Sequence, residues 1–345
     1  MTEKYLSELK RLRERIDEID KEIISLLEKR LEIAQKIGKI KARASLPIQD
    51  EKREKEVLQR AGKFACVFKE IISLCKRAQL PKKIGIVGFG KMGVLFASEL
   101  SKLCEIVVYS KNLENVKDER IRVVQSLAEL FKEAECIILA VPENSAKNIL
   151  EELVNLSRKT EERKIIFDIC TFKKYLEKHY ENFPPQVKVC SVHPMFGAGA
   201  KSFEGKKVLL VKVCKKEIPC EVKILFSSLG ARIIEIESVE EHDKLMQVCR
   251  GIPYFLGLTY LTFVLKYHKS FEVGGTSFEY LTTYGKSLLN DSDEFINHIL
   301  SKSSEKITEF LEFIKNVKID LQKLRNTFQK EVGECYKKFY KLVEG

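Results

Sequence analysis

Ile84-Gly85-Ile86-Val87-Gly88-Phe89-Gly90-Lys91-Met92-Gly93 opens the central third of this 345-residue chain, and the period changes there from helix to strand. A short apolar run meets G-x-G-x-x-G, and helical periodicity follows through Leu95, Leu100 and Leu103. In that context the first glycine permits a tight turn and the second lets backbone approach a pyrophosphate. The third lets helix pack on strand, with the phosphate at the helix N-terminus. Downstream, apolar runs recur between helical stretches: 106–109, 136–141, 165–167, 187–189 and 208–211. Alternating strands and helices predict a parallel, doubly wound, Rossmann-type sheet over 82–235.

The pattern predicts a dinucleotide cofactor. Its binding set is Gly88, Phe89, Gly90, Lys91, Met92 and Gly93, with Val141 and Pro142 at the end of the 136–141 strand. An NAD-preferring site usually has an acid at the end of the second strand. Here that place reads Tyr109-Ser110-Lys111-Asn112. The Ser110 hydroxyl and the Lys111 cation suit a 2′-phosphate, so NADP is expected over NAD.

Upstream, residues 5–43 contain no proline and step apolar residues by three and four: Leu9, Leu12, Ile16, Ile19, Ile23, Leu26, then Ile33, Ile37 and Ile40. Such a helix is about 58 Å long, whereas a compact chain of this size has a radius of gyration of about 20 Å. The rod therefore calls for a partner helix from a second copy. Ser45-Leu46-Pro47 breaks it, Asp50 can cap a helix from Glu51 to about Lys63, and a third helix is expected from about Val67 to Gln79. Residues 1–80 thus read as an all-helical hairpin. Downstream of the sheet, 236–345 reads as helices, one through the apolar run 251–265 and others through Ile307-Leu311-Ile314 and Leu321-Leu324-Phe328. The fold class is multidomain, α followed by α/β followed by α.

Composition narrows the function classes. The 61 Lys and Arg against 50 Asp and Glu leave a net charge of +11, but both signs are interleaved and no aromatic-basic nucleic-acid motif occurs. Small anionic substrates fit better than nucleic acid. The run 251–265 is too short to span a bilayer and suits a buried helix, and residues 1–15 have no apolar signal core. The ten cysteines include no C-x-x-C pair and no Cys/His cluster at metal-ligand spacing. A reduced, cytoplasmic chain without metal is expected.

Ser191-Val192-His193-Pro194-Met195-Phe196-Gly197 sets a histidine at the end of a strand, on the edge where open α/β sheets bind ligands. A neutral imidazole there can accept a hydroxyl proton; a lone histidine at a turn is more often structural. Two neighbours shift that balance. Asp168-Ile169-Cys170-Thr171-Phe172-Lys173 ends the preceding strand, and Glu241-His242-Asp243 opens the helical cap. Here the chain resembles the prephenate/arogenate dehydrogenase family over about 82–345: H-P-M-F-G is matched in full, D-x-x-S-x-K with Thr171 for serine, and E-H-D at the cap. The resemblance implies that His193 takes a proton from the ring hydroxyl while hydride leaves the same carbon for nicotinamide, followed by loss of CO2. Thr171 would orient the hydroxyl or the nicotinamide. The family's second histidine is replaced by Tyr254, and its carboxylate-binding cap arginine is missing around Phe278–Tyr280. Arg250 and Lys286 are the candidate replacements.

On the first helix, the column Leu9, Ile16, Ile23, Ile37 steps by sevens and should be apolar at 30, where Arg30 stands. A guanidinium on such a seam is costly to bury unless it has an anionic partner. Lys41 shares its face, whereas Arg13 points elsewhere by about 100° and could only join the cluster of a second chain. This arrangement resembles the all-helical chorismate mutase family, an intertwined dimer. The matching words run from Leu12-Arg13-Glu14-Arg15-Ile16-Asp17 through Glu28-Lys29-Arg30-Leu31, Gly38-Lys39-Ile40-Lys41 and 47–54 to Gln79. The resemblance implies that Arg13 of the partner, Arg30 and Arg53 hold carboxylates. Lys41 and Gln79 would contact the breaking ether oxygen, Glu54 the ring hydroxyl, and Asp50 would lie beside the site. Cys75 stands where the family often has serine.

Together the resemblances imply a homodimeric, bifunctional enzyme of tyrosine biosynthesis that takes chorismate to prephenate and prephenate to 4-hydroxyphenylpyruvate with NADP or NAD. Two alternatives remain at this stage. The hairpin could be only a dimerisation or regulatory module, or the whole chain a redox-sensing NADP-binding protein without turnover.

Overall fold

The computed structural model describes residues 2–43, 50–78, 80–111, 118 and 121–344. The expected breaker at Ser45–Pro47, Gln79, and Asn112 lie outside the described residues. The chain divides into two compact units, Met1–Val239 and Glu240–Gly345.

In the first unit, α1 (Thr2–Arg43), α2 (Glu51–Ala61) and α3 (Ala65–Arg77) form the hairpin. Asp50 caps α2 as expected, its side chain accepting from the Arg53 N–H. α2 stops two residues before Lys63 because Gly62 turns left-handed, at φ +53°, into a 3-10 turn over Gly62–Phe64. At 42 residues α1 is about 63 Å long. Its apolar stripe, including Leu9, Leu12, Ile16, Ile19, Ile23, Ile33, Ile37 and Ile40, is exposed in the single chain.

The sheet elements follow: β1 (Lys83–Val87), α4 (Lys91–Leu100), β2 (Glu105–Tyr109), β3 (Ile121–Val123), α5 (Leu127–Glu133), β4 (Cys136–Leu139), α6 (Glu143–Ser157), β5 (Lys164–Asp168), α7 (Lys174–Glu181), β6 (Val187–Pro194), β7 (Lys207–Val211), α8 (Cys220–Ser228) and β8 (Arg232–Ile236). The order is β3-β2-β1-β4-β5-β6-β7-β8. Two corrections to the expected sheet arise. It is mixed, because β7 runs antiparallel to β6 and β8 follows β7. It also has two strands that the apolar runs do not reveal, β3 and β8. β3 is only three residues long, and β8 has charged Arg232 and Glu235 breaking its apolar face. The core between sheet and helices is built from Ile84, Ile86, Val108, Ile138, Phe167 and Val192, closed by edge-on contacts such as Phe96 against Phe203 at 5.0 Å.

The second unit is helical: α9 (Val239–Met246, which begins at the boundary), a π-turn over Gln247–Gly251, α10 (Ile252–Val264), α11 (Ser270–Val273), α12 (Thr276–Leu288), α13 (Asp293–Lys302), α14 (Ser304–Asn316), α15 (Leu321–Phe328) and α16 (Val332–Glu344). α10 is not the fully buried helix its composition suggests. Tyr254, Gly257, Leu261 and Val264 are buried, while Leu256 and Phe263 are exposed. Gly257 and Gly285 explain how α10 packs on α12. A Cβ on Gly285 would lie 2.7 Å from the Gly257 carbonyl oxygen, so the two backbones approach too closely for any side chain. No helix among the described residues is long and apolar enough to cross a membrane.

Candidate active sites

The glycine loop sits where strand order reverses, between β1 with its neighbour β2 and the later strand β4, the position at which open α/β sheets bind nucleotides. Each glycine has its own physical reason. Gly88 adopts φ +95°, and a Cβ there would lie 2.4 Å from a Val141 methyl. On Gly93 a Cβ would meet the Gly88 carbonyl oxygen at 2.2 Å. At Gly90, which caps α4, an added Cβ would meet nothing within 4 Å, so the loop opens to space in front of the helix N-terminus. The loop is tied to the end of β2, with Gly88 N–H donating to Tyr109 O at 2.8 Å and Phe89 N–H to Ser110 Oγ at 3.3 Å. Lys111 beside it is exposed, as is Lys91 at the start of α4. These residues fit a dinucleotide: a tight turn, unfilled space and a helix N-terminus, with cations nearby.

Strand register places the remaining groups on the same edge. Val87 pairs with Leu139, Leu139 with Asp168 and Asp168 with Ser191, so one row crosses β1, β4, β5 and β6. Beyond that row lie Gly88, Val141 with Pro142, Thr171 and His193. His193 is two residues past Ser191, hence on the same pleat face. It is 2% exposed and pairs in register with Leu209 of β7. Thr171 is half-buried on the loop after β5.

Beneath that loop is a polar cluster that the sequence does not reveal, although Asp168, Ser191 and Lys173 all stand in its motifs. Asp168 is fully buried and accepts from Lys173 Nζ (2.8 Å), the Cys170 N–H (2.9 Å), Tyr180 Oη (2.7 Å) and Ser191 Oγ. Burial pushes the Asp168 carboxyl up, but the Lys173 ammonium and the hydrogen bonds outweigh it and hold the group below the usual carboxylate range. For Tyr180, burial and then the Asp168 charge push the phenol well above its ordinary value, so it remains a neutral donor. Lys173 also donates to the Val192 carbonyl at 2.7 Å.

In the hairpin, Arg30 is half-buried and donates to the Cys75 thiol on α3, so its partner is a thiol and not the anion a seam position suggests. Lys41 lies 3.8 Å from Asp50. Glu54 pairs with Lys76 at 2.8 Å, and Arg53 with Glu56 at 2.9 Å on an exposed surface. Arg13 is exposed. Arg30, Lys41, Asp50 and Glu54 therefore flank one hairpin, and Arg53 turns toward solvent.

In the second unit, Arg250 on the π-turn lies between two rings, 5.4 Å from Tyr254 and 5.3 Å from Phe295. It also donates to Tyr254 Oη at 3.4 Å, and Tyr254 donates to Asp291 at 2.6 Å. Burial pushes the Tyr254 phenol up to about 12, with Arg250 opposing and Asp291 adding. Lys286 is exposed, its ammonium 5.3 Å from the Phe271 ring. His242 is fully buried, its Nδ1 2.8 Å from Asp243.

Comparison with known proteins matches both ends of this geometry. Residues 12–80 match the type II chorismate mutase family, and 96–235 match the nucleotide-binding domain of prephenate dehydrogenase. The chain belongs to the chorismate mutase family through its hairpin, and it joins that domain to a prephenate dehydrogenase domain in one polypeptide. It is a bifunctional chorismate mutase/prephenate dehydrogenase of tyrosine biosynthesis. The T-protein of Haemophilus influenzae is 27% identical over 281 residues, covering 73% of this chain and 69% of that protein. A chorismate mutase of Methanocaldococcus jannaschii is 33% identical over 81 residues, 24% of this chain and 72% of that protein. Among solved structures, the prephenate dehydrogenase from A. aeolicus, in complex with hydroxyphenyl propionate and NAD+, shares the fold. Its TM-score is 0.55 at 20% identity, covering 76% of this chain and 95% of that one. In this bifunctional chain the mutase match ends at residue 80, and the strand carrying the glycine loop begins at Lys83.

Proposed function

We propose that the dehydrogenase reaction is carried out on the carboxyl edge of the sheet, with His193 as proton acceptor. The observation that carries this reading is the strand row that brings the Gly88 loop, Thr171 and His193 to one edge. A nicotinamide dinucleotide bound at the glycine loop supplies the hydride acceptor. The chain's residues do the rest. His193 takes the ring-hydroxyl proton as the carbonyl forms, Thr171 orients that hydroxyl, and loss of the ring carboxylate as CO2 yields the aromatic product. Arg250, between the Tyr254 and Phe295 rings, and Lys286, beside the Phe271 ring, are the two candidate cations for a substrate carboxylate. Ser110 and Lys111 favour NADP, with NAD as the alternative cofactor. Assays of prephenate and arogenate with both cofactors test this; a strong NAD preference overturns the Ser110–Lys111 reading.

For the mutase reaction we assign carboxylate binding to Arg30, Arg53 and the Arg13 of a second copy, the ether oxygen to Lys41 and Gln79, and the ring hydroxyl to Glu54, with Asp50 alongside. A Claisen rearrangement needs no nucleophile, only a compressed conformer and cations where charge develops. The exposed Arg53–Glu56 pair is worth only about 0–1 kcal/mol, so a substrate carboxylate can displace Glu56. The bare stripe of α1 supports a homodimer. Burying each of its leucines and isoleucines contributes about 1.5–3 kcal/mol. Free thiols throughout fit a cytoplasmic location.

A further inference from the structure

Lys173 is buried with its ammonium directed into the protein, onto Asp168 Oδ1 and the Val192 carbonyl, one residue before His193. β5 ends at Asp168, while β6 continues to Pro194. The carbonyl of Val192, just before His193, therefore has no strand neighbour on the β5 side and receives Lys173 Nζ instead. Asp168 holds that ammonium through Oδ1 and the Cys170 N–H through the same oxygen, which anchors the loop carrying Thr171. Its other oxygen, Oδ2, is held by Tyr180 from α7 and by Ser191 from β6. One carboxylate thus ties together the end of β5, the Thr171 loop, α7 and the His193 segment.

We propose that Lys173, Asp168, Tyr180 and Ser191 are positioning residues of the dehydrogenase, fixing His193 relative to Thr171 through the Val192 carbonyl and the Cys170 amide. The inference rests on His193 being the proton acceptor. A fully buried ion pair is weak evidence for stability, because desolvation offsets the attraction. Its geometric effect is different. A displacement of about 1 Å in a catalytic group can cost about a hundredfold in rate.

The test uses the full-length enzyme and three variants, Lys173→Met, the charge-neutral Asp168→Asn/Lys173→Met and the conservative Tyr180→Phe. Chorismate turnover in the same molecule reports on folding. Lys173→Met should lower kcat for prephenate about a hundredfold with KM within about twofold. Its melting temperature should fall, because Asp168 is left uncompensated. The neutral double variant should regain melting temperature without regaining kcat. Tyr180→Phe should lower kcat about three- to tenfold, with the midpoint of the kcat pH profile unmoved. Recovery of kcat together with melting temperature in the double variant would reduce the cluster to charge balance and overturn the proposal. So would a raised KM at unchanged kcat, or wild-type kcat in Tyr180→Phe. Should Lys173→Met fail to fold, the other two variants decide. If His193→Asn instead leaves prephenate oxidation intact, the assignment of His193 fails, whatever the cluster variants show.

Discussion

The hairpin and the sheet place their functional groups in opposite ways. Around His193 the protein is closed: His193 is buried, and beside it Lys173 and Asp168 form a buried pair at 2.8 Å. Around Arg30 it is open. The apolar stripe of α1 faces outward, Arg13 is exposed, and Arg53 turns to Glu56. A sheet can align its groups with one chain's backbone, because strand register brings the Gly88 loop, Thr171 and His193 to one edge. A long helix spreads its residues along an axis: Arg30 and Lys41 meet Cys75 and Asp50 of the same hairpin, while Arg13, near the other end of α1, is exposed. The groups at the sheet edge are thus aligned within a single chain, whereas the proposed mutase site takes Arg13 from a second copy.

The largest effect is expected from disrupting the apolar stripe of α1, which a second copy is proposed to cover. Ile16→Asp combined with Ile23→Asp should weaken self-association at least about a thousandfold, since each loses about 1.5–3 kcal/mol per protomer. Mutase turnover should fail at low protein concentration, while sedimentation reports smaller particles. Next in size, Arg30→Ala should lower mutase kcat about 10²- to 10³-fold and leave prephenate oxidation unchanged. Equal loss of both activities would merge the two sites. Smaller again, Gly90→Val, whose side chain would enter the open space before α4, should raise the KM for cofactor about tenfold with chorismate turnover intact. Smallest is a pH effect in the helical unit. The Tyr254 phenol, raised by burial from its ordinary 10 to about 12, favours the folded state while protonated. That contribution is present below about 10 and is lost as pH rises from 10 to about 12, so Tyr254→Phe should flatten this part of the stability curve.

The same contrast governs what is legible in the sequence. The glycine loop, the strand runs and the period of α1 are local patterns, and each is found where local physics puts it. β3 and β8 are not legible, because three residues and a charge-interrupted run do not show alternation clearly. The reversal at β7 is hidden because strand direction depends on the path of the connection after Pro194, which no periodicity encodes. Arg53 and Glu54 have a place along the helix, but long side chains choose their partners in three dimensions, here Glu56 and Lys76. Tyr180 is the clearest such case. On an amphipathic helix it reads as a core aromatic, and only the fold brings its hydroxyl to Asp168, 12 residues away along the chain.

One chain carries two activities that meet at prephenate, and the separateness of their sites is open to direct measurement. It is tested most directly by supplying chorismate and cofactor to the His193→Asn enzyme and following chorismate and prephenate together. Chorismate should disappear at the wild-type rate while prephenate accumulates, its oxidation slowed about 10²- to 10⁴-fold. Chorismate consumption falling in step with prephenate oxidation would mean that the two reactions share one site.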